Sequence, residues 1–322
     1  MERKTLSRKN KIIIAVSSIL SILFIVLISA YLMVGSYFFK YALDATYATS
    51  NDSLNLAEDF LIPDMQNEWF EDVDKTSKNI YSDDGYKLHA YQIMAPVNLH
   101  NWAIIVHGYR SEARHMNNYA YRFYMQGFNI LMPDLEGHGL SEGKYIGMGY
   151  TDRFDLLKWI DLIIDQDAQA NIVLHGVSMG ASTVMMTTGE ELPENVVCAI
   201  EDCGYSNVYD QFAYVMDNVL DLPFKKIIMS SAEIYVKMRL GRTLKDMDVI
   251  NSLKNSTTPT LFIHGDQDDF VPFDMLDVVY NANPNLDKEK LVVEGAGHGY
   301  SATANPDLYF NTIFDFINKH LN

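Results

Sequence analysis

A long uncharged segment near the start of the chain precedes a region in which short apolar runs alternate with longer amphipathic stretches. The segment covers residues 12–39 and carries no charged side chain over 28 positions. About 20 apolar residues in a helix, each rising roughly 1.5 Å, cross the hydrocarbon core of a bilayer. We therefore predict a transmembrane helix over residues 12–39.

The charges on the two sides of this segment differ in sign. The basic residues before it are Arg3, Lys4, Arg8, Lys9 and Lys11, whereas the next twenty residues contain Lys40 against Asp44, Asp52, Glu58 and Asp59. Basic flanks stay on the cytoplasmic side of a membrane. The pattern predicts a basic cytoplasmic tail over residues 1–11, a signal anchor in the cell membrane over 12–39, and an extracytoplasmic location for the rest.

A cleaved signal peptide is the alternative interpretation of the same segment. Such peptides also combine a basic start with an apolar stretch and small residues near its end, here Ser29 and Ala30. Their apolar regions span about 7–15 residues, so the longer segment favours an uncleaved, single-pass anchor. Residues 40–78, which are acidic and polar with scattered apolar positions, predict a partly helical stalk.

Seven apolar runs after the stalk have the pattern of strands buried on both faces, with apolar residues at consecutive positions. They lie at residues 88–94, 102–107, 128–133, 171–176, 196–202, 260–265 and 290–295. Helical spacing occurs between them at residues 112–126, 150–167, 179–191, 273–282 and 305–320. This alternation predicts an α/β domain over residues 79–322, with a mostly parallel sheet and helices on both faces.

One connection in this domain is too long for a simple crossover. Almost sixty residues separate the strand that ends near Asp202 from the strand that begins near Thr260. Helical apolar spacing over residues 205–220 and 224–238 predicts an inserted helical cap at about residues 205–255. A cap in this position roofs the ligand cleft, and surplus surface helices without a role in binding are the alternative.

Charge and cysteine content exclude two classes of protein. With 25 basic and 42 acidic residues the formal net charge is −17, which does not suit a nucleic-acid binder that must neutralise phosphates. Cys198 and Cys203 lie in one predicted strand, about 16 Å apart if extended, whereas disulfide Cα atoms are about 6 Å apart. We expect two free thiols, and the absence of a Cys/His cluster predicts no structural zinc site.

The segment with the most specific chemistry is Gly176-Val177-Ser178-Met179-Gly180, which stands between a buried apolar run and a helical run. A nucleophile on a sharp strand-to-helix turn needs glycine on both sides, because neighbouring side chains would collide with the strand and the helix. The serine would also stand at a helix N-terminus, which favours a developing oxyanion. Ser178 as a simple helix N-cap is the alternative.

A serine hydroxyl needs a base, and the base needs a partner that fixes its tautomer. His298 follows the last predicted strand on a glycine-rich loop, and Asp268 follows the preceding strand. Both are expected at the carboxyl ends of strands, where ligands bind in open parallel sheets. Rival acids are Asp202, Asp266 and Asp269, and the histidines expected to be structural are His107, His138, His175 and His264.

Four motifs in order resemble those of the α/β-hydrolase family over about residues 80–320. His107-Gly108-Tyr109 resembles its oxyanion loop, and residues 134–141, DLEGHGLS, resemble its DxRGxGxS turn. The serine elbow is the third, and the HGxxDxxVP and GxGH segments around the acid and the histidine complete the set. Glu136 departs from the pattern, because it stands where the family usually has arginine.

The resemblance implies a role for each candidate. Ser178 would be the nucleophile, His298 the general base and acid, and Asp268 the carboxylate that orients the histidine. The backbone amides of Tyr109 and Met179 would form the oxyanion hole.

A serine triad with an oxyanion hole performs acyl transfer through an acyl-enzyme that water hydrolyses. We therefore expect a membrane-anchored, carboxylesterase-like serine hydrolase that acts outside the cytoplasm on a small-molecule or lipid-derived acyl ester. We expect no cofactor, no metal and no nucleic-acid partner, and a bilayer around residues 12–39. A serine exopeptidase of the same fold is the alternative, and a non-catalytic surface binding module is a third possibility.

Overall fold

Eight strands form one central sheet in the part of the chain that the computed structural model describes, residues 7–50, 64–97, 99–221 and 223–321. They are β1 (Lys75–Tyr81), β2 (Lys87–Ile93), β3 (Asn101–Val106), β4 (Asn129–Pro133), β5 (Asn171–Val177), β6 (Val196–Asp202), β7 (Thr260–Gly265) and β8 (Lys288–Val293). Their order is β1-β2-β4-β3-β5-β6-β7-β8. Strand β2 is antiparallel to both neighbours, and the other adjacent strands are parallel.

The middle strands are apolar on both faces, as the consecutive apolar runs predicted. Ile104 of β3 lies opposite Leu131 of β4 and Leu174 of β5, and all three side chains are fully buried. A parallel sheet of this composition must be covered on both sides, because either face would otherwise expose apolar side chains to water. The predicted mostly parallel α/β architecture is confirmed.

Helices cover both faces of this sheet. The α-helices of the described residues are α1 (Arg8–Ala42), α2 (Ala45–Ser50), α3 (Asp64–Asp72), α4 (Asn117–Met125), α5 (Asp152–Gln166), α6 (Met179–Thr188), α7 (Val208–Tyr214), α8 (Lys225–Leu240), α9 (Val249–Leu253), α10 (Asp274–Ala282), α11 (Ser301–Ala304) and α12 (Pro306–Asn318). Helices α4 and α12 contribute Phe123 and Phe316 to one layer of the core. Helices α5 and α10 contribute Trp159 and Leu276 to the other.

Strand β1 was not predicted from the sequence. Its residues, KTSKNIY, are mostly polar and half-buried or exposed, since the strand lies at the edge of the sheet and pairs with β2 alone. It begins at Lys75, inside the segment predicted as a stalk over residues 40–78. Just before it, the Phe70 ring of α3 is buried edge-on against Tyr91, with centroids 5.3 Å apart. This end of the predicted stalk is therefore packed onto the sheet, whereas residues 51–63 lie outside the described residues.

The long connection between β6 and β7 is the predicted helical cap. It contains α7, a π-helical turn over Val215–Val219, α8 and the short α9. Buried cap side chains such as Met216, Met229 and Val236 belong to the same core layer as α5 and α6. The cap is thus packed against the domain on the side of the sheet where α6 begins.

The N-terminal helix α1 has 35 residues and is longer than the predicted span 12–39. By length and composition it can cross a membrane. Its last turns are part of the domain, because Gly35, Phe38, Phe39 and Ala42 are buried. At Gly35 a Cβ atom would overlap the backbone of Ser231 in α8, so the two helices are in direct backbone contact.

Candidate active site

Ser178 lies on a strained turn between β5 and α6. Its φ of 57° and ψ of −119° place it outside the regions that L-residues ordinarily occupy. A Cβ atom at Gly176 would overlap the Gly180 carbonyl, and one at Gly180 would overlap the Val106 carbonyl. Both glycines are therefore required by the close approach of the backbone, as the elbow motif predicted.

His298 stands between Ser178 and Asp268. Its Nε2 is 2.8 Å from Ser178 Oγ, and its Nδ1 is 2.8 Å from Asp268 Oδ2. The loops after β7 and β8 carry Asp268 and His298 to the carboxyl edge of the sheet, next to the turn after β5. The three residues singled out from the sequence thus form one continuous hydrogen-bonded chain.

The Asp268 carboxylate is buried and its hydrogen-bonding capacity is filled. Oδ1 accepts the backbone N–H groups of Phe270 and Val271 at 3.0 and 2.8 Å, and Oδ2 lies 3.1 Å from His264 Nε2. Burial alone would raise the pKa of Asp268, but the hydrogen bonds and charges of His298 and His264 outweigh it and hold the pKa well below its usual value. The carboxylate is thus ionised beside His298.

The rival acids have other partners. Asp202 accepts hydrogen bonds from the hydroxyl groups of Ser301 and Tyr309 at 3.1 and 3.0 Å, and burial raises its pKa to about 6. Asp266 accepts the Gly295 N–H at 2.7 Å. Asp269 is exposed. Among these carboxylates and Asp268, only Asp268 is hydrogen-bonded to His298.

Three of the other histidines are hydrogen-bonded to backbone or side-chain groups other than the Ser178 hydroxyl. His107 donates from Nδ1 to the Gly108 carbonyl and accepts the Leu135 N–H, and His138 accepts the Arg110 N–H. His175 is hydrogen-bonded to Tyr309. Burial lowers the pKa of His138 and of His175 to about 3, so both rings are neutral.

The loop after β3 passes directly over the serine. A Cβ atom on Gly108 would lie 3.4 Å from the Ser178 Cβ, and Tyr109 follows on this loop. Met179 is the first residue of α6. The N–H of Ser178 itself is donated to the Asp202 carbonyl at 2.8 Å, so it is already used in the backbone.

Comparison with known proteins places this arrangement in a fold family. Residues 99–221 match the family model described as serine aminopeptidase, S33, a stretch that includes Ser178 and ends before Asp268 and His298. The esterase Pf2001 of Pyrococcus furiosus superposes with a TM-score of 0.65 at 21% identity, covering 81% of this chain and 95% of the esterase. This chain has the α/β-hydrolase fold.

Two further proteins are similar to this chain, one in sequence and one in structure. The uncharacterized protein YqkD of Bacillus subtilis strain 168 is 28% identical over 253 residues, which cover 78% of this chain and 82% of that protein. An acylaminoacyl peptidase of Pyrococcus horikoshii superposes with a TM-score of 0.57 at 18% identity, covering 80% of this chain and 43% of the peptidase. The chain is thus similar in fold both to an esterase and to a peptidase.

Sequence reasoning did not assign two polar neighbours of Ser178, His298 and Asp268. His264 was expected to be structural, and its Nε2 lies 3.1 Å from Asp268 Oδ2, the oxygen that His298 also contacts. Cys203, expected to be a small core residue, lies close enough that its Sγ, an Asp268 oxygen and a His298 ring nitrogen are all within 4.8 Å of one another. Its position directly after β6, at the carboxyl edge of the sheet, was the available signal. Both cysteines are free thiols, as expected.

A cavity of about 760 Å³ adjoins Ser178. Most of its wall is apolar, with side chains from the cap, from the loop after β7 and from α1, among them Phe212, Met216, Phe270, Val34 and Phe38. Volumes of about 300–1,000 Å³ hold whole small-molecule ligands. Ser178 therefore faces a space large enough for an apolar ligand group.

The turn over residues 134–141 differs from the expected motif in its charge. The carboxylate of Asp134 fixes the turn by accepting the Ala113 and Leu140 N–H groups at 2.8 and 3.1 Å. Glu136 is buried, and burial together with the negative charges of Asp152 and Asp155 raises its pKa to about 8. Glu136, which stands where the resembled family has arginine, is thus a buried acid whose negative charge is poorly compensated in the loop.

Glu136→Gln is expected to stabilise this protein at pH 8 and to have little effect at pH 4.5. The folded-state pKa, about 8, lies above the ordinary value of 4.5, so the folded protein retains a proton that the unfolded chain releases. The free energy of unfolding therefore falls as pH rises between these values. Thermal unfolding at both pH values should show a gain in Tm of about 2–4 °C at pH 8. Glu191→Gln, at an exposed position, is the control, and equal gains at both pH values would contradict the explanation.

Proposed function

We propose that this protein is a membrane-anchored serine hydrolase that cleaves carboxylic esters, with Ser178 as nucleophile, His298 as general base and acid, and Asp268 as the orienting carboxylate. The observation that carries the proposal is the position of His298, within 2.8 Å of both Ser178 Oγ and Asp268 Oδ2. A neutral imidazole in this position accepts the serine proton at Nε2 while Nδ1–H donates to the carboxylate.

The reaction follows from this geometry in two halves. Ser178 Oγ attacks the ester carbonyl as its proton moves to His298 Nε2, and the ionised Asp268 stabilises the resulting imidazolium. The ester C–O bond then breaks and the alcohol leaves with that proton. Water, deprotonated by the same nitrogen, attacks the acyl-enzyme, and the carboxylic acid is released.

The developing oxyanion would be held by the backbone N–H groups of Tyr109 and Met179. Support comes from Gly108, whose close approach to Ser178 brings the loop over the nucleophile, and from the start of α6 at Met179, where the helix N-terminus favours negative charge. Donors fixed before the reaction stabilise the tetrahedral intermediate without reorganisation.

The cavity favours an ester over a peptide with a free terminus. None of its described lining residues is charged, whereas an exopeptidase must compensate the charged terminus of its substrate in a pocket from which water is excluded. An apolar acyl or alkyl group needs no such partner. The similarity to a serine aminopeptidase family and to an acylaminoacyl peptidase makes exopeptidase activity the second candidate.

Helix α1 supports the membrane anchor. Its exposed apolar side chains run from Ile12 to Ile28, and Arg8, Lys9 and Lys11 stand at its N-terminal end. With the basic end in the cytoplasm, the catalytic domain would lie outside.

Hydrolysis of matched chromogenic substrates tests the bond specificity. We expect the purified full chain to hydrolyse p-nitrophenyl acetate and longer p-nitrophenyl esters, and to act much more slowly on aminoacyl-naphthylamides. Robust cleavage of the naphthylamides with weak ester hydrolysis would favour the exopeptidase. Failure to cleave either class, in a protein whose thermal unfolding is cooperative, would favour the non-catalytic module.

A further inference from the structure

The cavity beside Ser178 is built in part from the anchor helix. Seven positions of α1 line it and form one stripe of the helix, because they recur at spacings of three and four residues: Ala30, Met33, Val34, Tyr37, Phe38, Tyr41 and Ala42. The stripe runs from residue 30 to residue 42, a rise of about 18 Å at 1.5 Å per residue. The cavity thus extends along the last third of a helix whose first two thirds are lipid-facing in composition.

This part of α1 is fixed to the cap by close packing. The Tyr31 hydroxyl donates to Ser230 Oγ at 2.9 Å, and the Ser231 hydroxyl donates to the Tyr31 carbonyl. The Phe38 ring meets Phe212 edge-on, with centroids 5.2 Å apart. Together with the backbone contact at Gly35, these interactions make α1 a wall of the cavity.

The end of α1 also contacts the loop that carries the proposed oxyanion donor. The Tyr109 hydroxyl donates to the Ala42 carbonyl at 2.8 Å, and Arg110 Nη2 donates to the Tyr41 carbonyl at 2.9 Å. Both carbonyl groups belong to the last turn of the helix, where carbonyl groups lack partners within the helix. The anchor and the loop over Ser178 are therefore joined by direct hydrogen bonds.

The position of the bilayer along α1 follows from the exposure of its side chains. Every large apolar side chain from Ile12 to Ile28 is at least 42% exposed. Counted from Lys11, the last basic residue before this segment, the roughly 20 residues that cross the hydrocarbon core end near Tyr31. The cavity-lining residue Ala30 would therefore lie at the outer boundary of the hydrocarbon.

One end of the cap lies at the same level as this outer boundary of the hydrocarbon. Because Tyr31 contacts Ser230 and Phe39 contacts Tyr235, α8 runs in the same direction as α1, and its first turn is its membrane-proximal end. Phe224 and Ile227 at this end are 77% and 51% exposed, an arrangement that is stabilised in lipid rather than in water.

We infer that the cavity takes the acyl chain of a membrane-resident, long-chain carboxylic ester directly from the outer leaflet, between α1 and the membrane-proximal end of the cap. The inference rests on the proposed esterase function and deepens it. Leu220 and Ile228 line the cavity near that end, so an acyl chain passes from lipid to Ser178 along apolar surface. The ester C–O bond breaks, water is consumed, and a fatty acid and an alcohol are formed.

Two arrangements of the same vesicles test direct entry with the wild-type, full-length protein. Reconstituted in phosphatidylcholine vesicles, it should hydrolyse dioleoylglycerol placed in its own vesicles about tenfold faster or more than the same amount in separate vesicles, since transfer through water costs about 0.8 kcal/mol per methylene group. Equal rates in the two arrangements would overturn the inference.

A pair of tryptophan substitutions on α1 tests whether this helix forms a wall of the cavity that takes the acyl chain. Val34→Trp fills the cavity, whereas Leu27→Trp adds the same side chain at an exposed position two helical turns nearer the N-terminus, where it does not line the cavity. The ratio of kcat/KM for p-nitrophenyl palmitate to that for p-nitrophenyl acetate should fall about tenfold or more in Val34→Trp and stay unchanged in Leu27→Trp. An unchanged ratio in both variants would contradict the inference.

The controls separate this inference from the proposed function. If the wild-type protein cleaves neither the acetate nor the palmitate, the esterase proposal itself fails. If it cleaves the acetate in a manner that depends on Ser178 but gains nothing from substrate in its own bilayer, only the membrane-entry inference fails. The vesicle comparison needs no variant, so it decides the question even if Val34→Trp does not fold.

Discussion

Ser178→Ala is expected to lower kcat/KM for the best p-nitrophenyl ester by about 10⁴-fold or more. The substitution removes the oxygen that lies 2.8 Å from His298 Nε2 and leaves no atom that could form the acyl-enzyme. Binding should change little, because the cavity wall is otherwise intact. Initial rates of the wild-type and variant proteins, measured at several substrate concentrations, will separate kcat from KM.

Thr312→Ala provides a matched control for the loss of a hydroxyl group. Its Oγ1 donates to the Leu308 carbonyl within α12 at 2.7 Å, in a helix that does not carry a triad residue. This variant should retain wild-type kinetics. A Ser178→Ala protein that keeps more than about a tenth of the wild-type rate would show that another group is the nucleophile.

Asp268→Asn is expected to reduce kcat by about 10³- to 10⁴-fold with a small change in KM. The amide removes the negative charge that stabilises the imidazolium. Its NH₂ group can also donate to His298 Nδ1, which would leave Nε2 protonated and unable to accept the serine proton. The pH dependence of kcat, compared between the two proteins, will report this change in the histidine.

The neighbouring carboxylates serve as controls for this prediction. Asp266→Asn keeps an oxygen that can accept the Gly295 N–H, and it should therefore retain most of the activity. Asp202→Asn tests the acid at the end of β6, which is hydrogen-bonded to Ser301 and Tyr309. A larger loss of kcat in Asp202→Asn than in Asp268→Asn, with both proteins folded, would reverse the assignment of the orienting acid.

The buried middle strands of the sheet were predictable from the sequence, whereas the edge strand β1 was not. Strands such as β3 and β5 are covered on both faces, so their residues are apolar at consecutive positions and the pattern is unambiguous. Strand β1 lies at the edge, where Lys75 and Lys78 are compatible with solvent, and its polar sequence resembles a loop. Edge strands need fewer apolar residues because one side faces no neighbour.

The contact among Ser178, His298 and Asp268 was predictable because the sequence shows both the glycines that the turn requires and the strands that the acid and the histidine follow. Gly176 and Gly180 mark a turn that tolerates no side chain at either position. The segments around Asp268 and His298 follow neighbouring parallel strands, β7 and β8, whose carboxyl ends meet at one edge of the sheet. The sequence could not reveal which atoms of His264 and Cys203 would lie against Asp268, since that depends on loop conformation.

The contact between α1 and the cap was not predictable from the apolar pattern. Residues 12–39 carry no charge, so the positions that face lipid and those that face protein have similar side chains. In a water-soluble helix a polar face would have marked the difference. Gly35 was the one local signal, since a glycine within a helix often marks close packing against another helix.

Covalent labelling with a fluorophosphonate tests most directly whether Ser178 is an activated, outward-facing nucleophile. The probe is added outside intact cells that produce the wild-type, Ser178→Ala or His298→Ala protein, and the adduct is located by peptide mass spectrometry. We expect an adduct on the peptide that contains Ser178 in the wild type, none in Ser178→Ala and much less in His298→Ala. An adduct on a different residue, or labelling of Ser178 that requires lysis of the cells, would contradict the proposed nucleophile or the proposed topology, respectively.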